Sequence, residues 1–368
     1  MDKFCDSLTR FSRRPTDEVR IGAVGVGGDN PIRLQSMTNT DTNDTEASAA
    51  QVERIAAAGG EIVRLTAQGR REAANLGRIR ALLDNRGCRV PLVADIHFLP
   101  AAALVAAEQV EKVRINPGNW NERGGEFDEL LSTCRRRGVA LRIGVNHGSL
   151  SPSIMERYGD TVEGMVASAM EYLRRCREAS FGQVVVSIKS SNVRVMVQAY
   201  RMLVAAMRRE GMRYPLHLGV TEAGTPSMGM VKSAMGIGGL LCMGIGDTIR
   251  VTLTADPVEE IYAAKKILRA AGLRKEGVNL IACPTCGRTR IELIPMAEEV
   301  ERRLMNCTKN ITVAVMGCAV NGPGEAAAAD VGIAGGKGEG LIFRKGEILY
   351  KVPQERLVDA LMEEIEKL

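Results

Sequence analysis

The chain has 368 residues, of which 45% are hydrophobic and 25% charged, and its 49 basic and 44 acidic side chains give a formal net charge of +5. This length suggests two domains, and the balanced charge with only 4% aromatic residues argues against a nucleic-acid partner. The sequence shows no apolar run long enough to cross a membrane and no apolar signal segment, so we expect a cytoplasmic protein without a membrane partner.

Residues 1–272 repeat one unit, a short apolar run followed by a helical pattern. The runs predict strands at 32–38, 62–67, 91–98, 112–119, 141–149, 184–191, 216–224 and 248–254. Between them, apolar residues recur at spacings of three and four, which is typical of amphipathic helices. Eight such βα units in about 270 residues predict an α/β protein with a (β/α)8 TIM barrel. A doubly wound open sheet is the alternative, but no GxGxxG motif follows the first strand.

Polar side chains end these strands, where TIM barrels build their active sites. The candidates are Arg64, Asp95, His97, Arg114, Asn116, Arg142, Asn146, His147, Lys189, Ser190, Thr221, Glu222, Arg250 and Thr252. Strand residues an even number apart point the same way, as in the pairs Asp95/His97 and Arg114/Asn116. We therefore predict that these side chains line one mouth of the barrel.

The basic members of this set indicate the class of substrate. Like charges that converge need an anion, and arginine and lysine both bind phosphate oxygens well. The sequence therefore predicts a small, multiply charged phosphate ester or diphosphate. The segments NPGN, NHGS and GIGGLLCMGIG are interpreted as turns that add backbone amide donors.

Residues 273–368 predict a small α+β domain. The stretch NLIACPTCGR at 279–288 predicts a strand that enters a loop, and IELIPMAEEVERRLM at 291–305 predicts a helix. A second strand, ITVAVMGC, leads into a glycine-rich loop, and GLIFRKGEILYKV predicts a hairpin before a final amphipathic helix.

The cysteines of this domain indicate a metal site. Cys283, Cys286 and Cys318 lie where strands give way to loops, whereas a redox CxxC pair normally opens a helix. The chain's nine cysteines are an odd number without a secretion signal, which argues against a disulfide framework. Thiolates suit zinc and iron–sulfur clusters alike, and both remain open from spacing alone. Cys307 would complete a zinc site, whereas Glu325 would complete a cluster with one exchangeable iron.

Nine strings along nearly the whole chain resemble one known family. They are QSMT, ADIHF, VRINPGN, RIGVNHGSL, SIKSS, HLGVTEAG, GIGDTIRVTLT, CPTCGR and GCAVNGPGE. Together they resemble the (E)-4-hydroxy-3-methylbut-2-enyl diphosphate synthases of the non-mevalonate isoprenoid pathway, in their compact two-domain form. The family usually has serine where this chain has Thr252, and both residues carry a hydroxyl group.

The resemblance implies an iron–sulfur oxidoreductase. Cys283, Cys286, Cys318 and Glu325 would hold one 4Fe–4S cluster per chain. The expected reaction opens 2-C-methyl-D-erythritol 2,4-cyclodiphosphate reductively and removes water, with two electrons from flavodoxin or ferredoxin. The expected assembly is a homodimer in which the cluster domain of one chain covers the barrel of the other.

Combining both lines of inference assigns roles to the candidates. The phosphate oxygens would be held by Arg114, Arg142, Lys189 and Arg250 with Asn116, Asn146, Ser190 and Thr252. Glu222 would donate a proton, His97 and His147 would orient it or the substrate, and Asn321 would position a hydroxyl. Glu325 would give way when the substrate binds. The rival hypothesis is a TIM-barrel lyase or aldolase of a sugar phosphate, with Lys189 as Schiff-base nucleophile and a zinc-stapled second domain.

Overall fold

The computed structural model describes residues 3–120, 125–275, 277–305, 307–318, 324 and 326–368. Two of the sequence-predicted site residues, Asn321 and Glu325, lie outside these ranges. The chain divides into two compact units, Met1–Ala271 and Gly272–Leu368. None of the helices in the described ranges combines the length and the apolar character that a membrane span requires.

The first unit is a closed barrel of parallel strands preceded by a hairpin. The hairpin strands are β1 (Val19–Ile21) and β2 (Val24–Val26), and the barrel strands are β3 (Arg33–Met37), β4 (Ile62–Ala67), β5 (Leu92–Ile96), β6 (Lys112–Ile115), β7 (Ala140–Asn146), β8 (Val184–Lys189), β9 (His217–Leu218) and β10 (Thr248–Ile249). Neighbours follow chain order from β3 to β8, and β10 pairs with both β3 and β9. A parallel bridge between Val186 and Leu216 joins β8 to the segment before β9 and completes the ring. The predicted TIM barrel is confirmed.

Helices alternate with these strands around the barrel. They are α1 (Thr45–Ala57), α2 (Arg70–Asn85), α3 (Pro100–Ala107), α4 (Glu126–Arg137), α5 (Pro152–Tyr158), α6 (Val162–Glu178), α7 (Val193–Arg209), α8 (Pro226–Ser233), α9 (Gly239–Cys242) and α10 (Pro257–Ala270). Asp44, Thr161 and Asn192 cap α1, α6 and α7 by accepting hydrogen bonds from first-turn amides. Because helices cover the outer face and side chains fill the interior, the strands are buried on both faces, as in β8.

The N-terminal hairpin closes one end of the barrel, which the sequence analysis did not predict. Val19, Ile21 and Val26 pack with Ile62, Val93, Ala140 and Val185 in one apolar cluster. The last four residues lie in the first halves of their strands, so the hairpin covers the amino-terminal end. The polar interior is therefore directed toward the carboxyl ends of the strands.

The prediction of a turn at GIGGLLCMGIG is wrong for most of that segment. Ala234–Gly238 forms a π-helical segment that continues from α8, and α9 follows it directly. Ile237, Leu240 and Leu241 are buried at the spacing of a helical face, which outweighs the low helix propensity of the glycines. The segment therefore uses most of its amides within a helix.

The second unit is a mixed five-stranded sheet covered by helices. Its elements are β11 (Asn279–Ala282), α11 (Leu293–Leu304), β12 (Thr312–Met316), β13 (Val331–Gly335), β14 (Glu339–Arg344), β15 (Glu347–Pro353) and α12 (Leu357–Glu366). Strands β11, β12 and β13 are parallel, and β14 and β15 add to them in antiparallel fashion. Both helices contribute to one core, for example through Val300 and Leu361. The predicted α+β class is confirmed, although β13 was not predicted.

Candidate active site

A buried carboxylate organises the basic residues at the upper part of the barrel. Asp95 Oδ1 lies 3.1 Å from Arg114 Nη1, and Asp95 Oδ2 lies 3.7 Å from Arg64 Nε and 3.5 Å from His97 Nε2. Burial raises the pKa of the Asp95 carboxyl, but the charges of Arg64 and Arg114 and the hydrogen bond to His97 outweigh burial and hold this pKa well below its usual range. Asp95 is therefore ionised and fixes two arginines.

Arg114 spans the interior from β6 to β7. Its Nη2 donates to the carbonyl oxygen of Gly144 at 2.9 Å and to Asn146 Oδ1 at 3.2 Å. A Cβ atom at Gly144 would lie 2.5 Å from Arg114 Nε, so the glycine makes room for this side chain. Asn116, two residues beyond Arg114, donates to Ser149 Oγ at 3.0 Å.

Arg142 is buried without a partner among the described residues. Its side chain is fully inaccessible, and none of its three guanidinium nitrogens forms a hydrogen bond with any described residue. Burial and the charges of Arg64 and Arg114 lower the pKa of Arg142, yet a guanidinium keeps its proton in proteins. Donors that are buried and unpaired are costly, so this group is prepared for an anion.

Lys189 ends β8 among the same charges. It is buried, and burial followed by the charges of Arg64 and Arg142 lowers the pKa of its ammonium group well below the usual value. Like Arg142, Lys189 has no ion pair with a described residue. Arg142 lies in the first half of β7 and Lys189 at the end of β8, and both cations gain from a negative ligand in the barrel interior.

Arg250 is held by a carboxylate that the sequence analysis missed. Arg250 Nη2 and Nε each lie 3.0 Å from an oxygen of Glu260 on α10, which also accepts from Ser36 Oγ at 2.7 Å. Arg250 Nη1 donates to the Met37 sulfur at 3.4 Å, as does Arg64 Nε at 3.1 Å. A thioether is a weak acceptor, so both guanidinium groups keep donor capacity for a ligand.

Glu222 lies in the loop after β9, where the backbone is strained. Its φ of 49° is in the left-handed region, and such a conformation costs a non-glycine residue about 1–3 kcal/mol. The side chain is exposed and forms no ion pair within the described ranges. The structure therefore does not support a structural salt bridge as the reason for this glutamate.

The two candidate histidines have carboxylate neighbours but do not reach Glu222. His97 Nε2 faces Asp95, and its main-chain oxygen accepts from Asn119 Nδ2 at 2.6 Å. His147 Nε2 lies 3.7 Å from Asp160 Oδ2, with its side chain 40% exposed. Among the described residues, no hydrogen bond joins either histidine to Glu222, so they do not orient it directly.

The predicted hydroxyl groups lie at strand ends. Ser190 is buried, its Oγ accepts from the amide of Asn192 at 3.1 Å, and its carbonyl accepts from the amide of Thr221 at 3.4 Å. Thr221 and Thr252 are half-buried in the loops that follow β9 and β10.

Two charged residues of the interior were missed, although the sequence carries a signal for each. Lys112 is fully buried and precedes Arg114 and Asn116 at the two-residue spacing of a strand face. Glu260 is 3% exposed and stands in the apolar stripe of α10 with Ile261 and Ala264. Both were overlooked because only the polar ends of strands were considered.

The cysteines of the second unit follow parallel strands. Cys283 comes directly after β11, and Cys318 is two residues beyond β12, the neighbouring strand. The amide of Gly317 donates to Cys283 Sγ at 3.1 Å, a contact suited to a thiolate. Cys286 is exposed in the next loop, where hydrogen bonds from the backbone and side chain of Arg288 lower the pKa of its thiol.

The described residues do not assemble a complete metal site. No three cysteine, histidine or acidic side chains within the described ranges are grouped closely enough to hold a metal ion, and Glu325 lies outside those ranges. Cys307 precedes the amino-terminal end of β12, whereas Cys283 and Cys318 follow the carboxyl-terminal ends of β11 and β12, which are parallel. This position does not support Cys307 as a fourth thiolate ligand of a zinc site.

Comparison with known proteins decides the family. The family model described as the GcpE TIM-barrel domain matches residues 16–265, and that of the GcpE protein C-terminal domain matches residues 279–367. The chain belongs to the GcpE family. The resemblance inferred from the nine sequence strings is thereby confirmed.

Relatives in this family share about half of their residues with the chain. A protein of Clostridium perfringens is 51% identical over 358 residues, which cover 97% of this chain and 99% of the relative. A protein of Geobacter sulfurreducens is 50% identical over 96% of this chain and 98% of its own length. Both are named 4-hydroxy-3-methylbut-2-en-1-yl diphosphate synthase (flavodoxin). Membership in this GcpE family favours the reductive enzyme over the lyase hypothesis.

Proposed function

We propose that the chain converts 2-C-methyl-D-erythritol 2,4-cyclodiphosphate into (E)-4-hydroxy-3-methylbut-2-enyl diphosphate, as an oxidoreductase of the non-mevalonate isoprenoid pathway. Full-length similarity to GcpE synthases supports this activity. The observation in the molecule that carries it is Arg142, a buried guanidinium without a partner among the described residues. A cyclic diphosphate is the kind of anion that such a group requires.

The barrel interior binds the two phosphates. Arg64, Arg114 and Arg250 are held in position by carboxylates, while Arg142 and Lys189 contribute charge that is unpaired among the described residues. The neutral donors of this site are Asn116, Asn146, Ser190, Thr221 and Thr252. Asn321 of the second unit would position a substrate hydroxyl. Fixing both phosphates orients the carbon skeleton and lowers the entropic barrier to the reaction.

Residues at the mouth of the barrel would supply the proton that the reaction consumes. Ring opening and dehydration release one substrate oxygen as water, so a proton must reach that oxygen. Glu222 is the proposed donor because its exposed carboxyl is held in a strained loop at the carboxyl end of the barrel and has no competing ion pair in the described ranges. His97, tied to Asp95, orients the substrate rather than Glu222.

The second unit carries the electrons. Cys283, Cys286 and Cys318, with Glu325, would hold a 4Fe–4S cluster, which supplies two electrons one at a time. The amide bonded to Cys283 and the lowered pKa of Cys286 suit thiolate ligands. The relatives' names indicate flavodoxin as the donor, with ferredoxin as the alternative. We further propose a homodimer in which this unit serves the partner's barrel.

Anaerobic turnover of the cyclodiphosphate with reduced flavodoxin tests these roles. We compare the wild type with Glu222→Gln and Glu325→Ala, using iron content and substrate affinity as controls. The Glu222→Gln protein should keep its iron and its affinity while kcat falls by about 10²–10⁴, the usual contribution of a positioned acid. Wild-type turnover in both variants would contradict the assignment.

A further inference from the structure

Lys112 is a basic residue inside the barrel that the proposed reaction does not use. Its side chain is fully buried at the start of β6. Its Nζ donates to Gln35 Oε1 at 3.3 Å, a contact that crosses the interior because β3 and β6 are not neighbours. It forms no ion pair with any residue of the described ranges. Within the described part of the chain, Lys112 therefore has an amide oxygen as its acceptor and no counter-charge.

The charges of Arg64 and Arg142 act on Lys112. The strands around it carry the charged and polar side chains of the barrel interior. They are Gln35 on β3, Arg64 on β4, Asp95 on β5, Arg142 on β7, Lys189 on β8, His217 on β9 and Arg250 after β10, with Arg114 on its own strand. Asp95 is already shared between Arg64 and Arg114, and Glu260 is paired with Arg250. The six lysine and arginine side chains named here, with Lys112 included, outnumber these two carboxylates.

The net positive charge of these lysine and arginine side chains can change only where one of them can lose its proton. Guanidinium groups remain protonated, whereas a buried lysine readily becomes neutral. Burial, then the charges of Arg142 and Arg64, lowers the pKa of Lys112 well below its usual value. Burial likewise lowers the pKa of His217 well below its usual value, which keeps that imidazole neutral. Lys112 and Lys189 are thus the groups whose charge responds to a ligand.

We propose that Lys112 takes up a proton from solvent when the substrate anion binds at the barrel mouth, so that binding and protonation are coupled. The proposal rests on the proposed function, because it takes the cyclic diphosphate as the anion. A bound dianion offsets the positive potential that disfavours an ammonium group at Lys112. Lys112 does not contact the substrate. Its charge affects substrate binding through its electrostatic interaction with Arg142, so Lys112 is a positioning residue.

Coupling of this kind makes affinity depend on pH. Each proton taken up on binding lowers the association constant about tenfold per pH unit between the pKa of the group in the free protein and its pKa in the complex. The affinity for the dianion should therefore fall with rising pH between the pKa of Lys112 in the free protein and its higher pKa in the complex. Protonation of Lys112 requires little rearrangement, since its amine already donates to Gln35 Oε1.

Calorimetric titration in buffers of different ionisation enthalpy counts the protons directly. The cluster-loaded protein is titrated anaerobically with the cyclodiphosphate, without reductant, so that no turnover occurs. Wild type should take up protons on binding, and Lys112→Met should take up measurably fewer. The matched control is Lys266→Met, which removes an exposed lysine on α10 and should retain the wild-type uptake.

The outcomes distinguish this inference from the proposed function. Equal proton uptake in wild type and Lys112→Met, or tight wild-type binding with no uptake and no pH dependence, overturns the inference. If Lys112→Met does not fold, Lys112→Gln replaces it, because the amide keeps a polar group beside Gln35. Failure of the folded protein to bind the cyclodiphosphate contradicts the proposed function. Titration with inorganic pyrophosphate then decides the inference: uptake that depends on Lys112 supports it, and its absence overturns it.

Discussion

Replacing Arg142 with methionine should weaken substrate binding without weakening the fold. Arg142 is fully buried and has no hydrogen-bond partner in the described ranges, while the charges of Arg64 and Arg114 repel it. Removing an unpaired buried charge relieves its desolvation cost and its repulsion with the other arginines. The free energy of unfolding should therefore stay constant or rise.

The loss of affinity follows from the charge that is removed. A guanidinium about 4 Å from a phosphate contributes about 4 kcal/mol at an effective dielectric constant of about 20. Since about 1.4 kcal/mol is a factor of ten, the affinity should fall by about a hundredfold to a thousandfold. Calorimetric titration with the cyclodiphosphate and urea unfolding measure the two effects separately.

Arg250→Met is the matched control, because that arginine has a partner. Its removal leaves Glu260 buried with a hydroxyl donor from Ser36 and no counter-charge, which should destabilise the fold by about 3–5 kcal/mol. Both variants should bind the substrate weakly, but only Arg250→Met should unfold more easily. An Arg142→Met protein that unfolds more easily and binds normally would refute the reasoning.

The remaining predictions concern other contacts. Asp95→Asn should lower the free energy of unfolding at neutral pH by about 3–5 kcal/mol. Because the folded-state pKa of Asp95 lies below the unfolded value of about 4, the wild type keeps this stability advantage above about pH 4 and loses it as the pH falls through the folded-state pKa. Urea unfolding measured across pH tests this, and an advantage that persisted in strong acid would contradict it. Gly144→Ala should displace Arg114 and lower substrate affinity by about tenfold or more in calorimetric titration, and unchanged affinity would oppose the steric argument. Cys318→Ser should abolish the broad absorbance near ~400 nm of anaerobically reconstituted protein, whereas Cys307→Ser should retain it, and the reverse pattern would exclude this ligand set.

Periodic signals made the barrel predictable. Strands such as β7 and β8 combine an apolar run with polar residues at their carboxyl ends, and the structure places Arg142 and Lys189 in the interior as that alternation requires. Register between neighbours also follows, since Asp95 pairs with Arg114 and Arg114 with Arg142 in the sheet. The apolar and polar pattern of each strand and the closure of the barrel therefore determine the positions of most candidate-site residues.

Features that depend on tertiary packing were not predictable in the same way. The strands of the hairpin β1–β2 are too short to give a periodic signal in the sequence. The hairpin is stabilised by packing against the barrel. Glu260 was overlooked because a glutamate on a helix is normally solvated, and only the nearby Arg250 makes its burial favourable. Likewise, CxxC spacing pointed to Cys286 as a ligand but did not indicate that its loop would be exposed.

The central claim is that this chain binds a cyclic diphosphate in its cationic barrel and reduces it. Anaerobically reconstituted protein, supplied with reduced flavodoxin and the cyclodiphosphate, tests the claim most directly when the products are followed by NMR. We predict that the open allylic diphosphate appears as two electrons are consumed for each molecule formed. A reconstituted protein that carries its iron and accepts electrons but leaves the cyclodiphosphate unchanged would contradict the account.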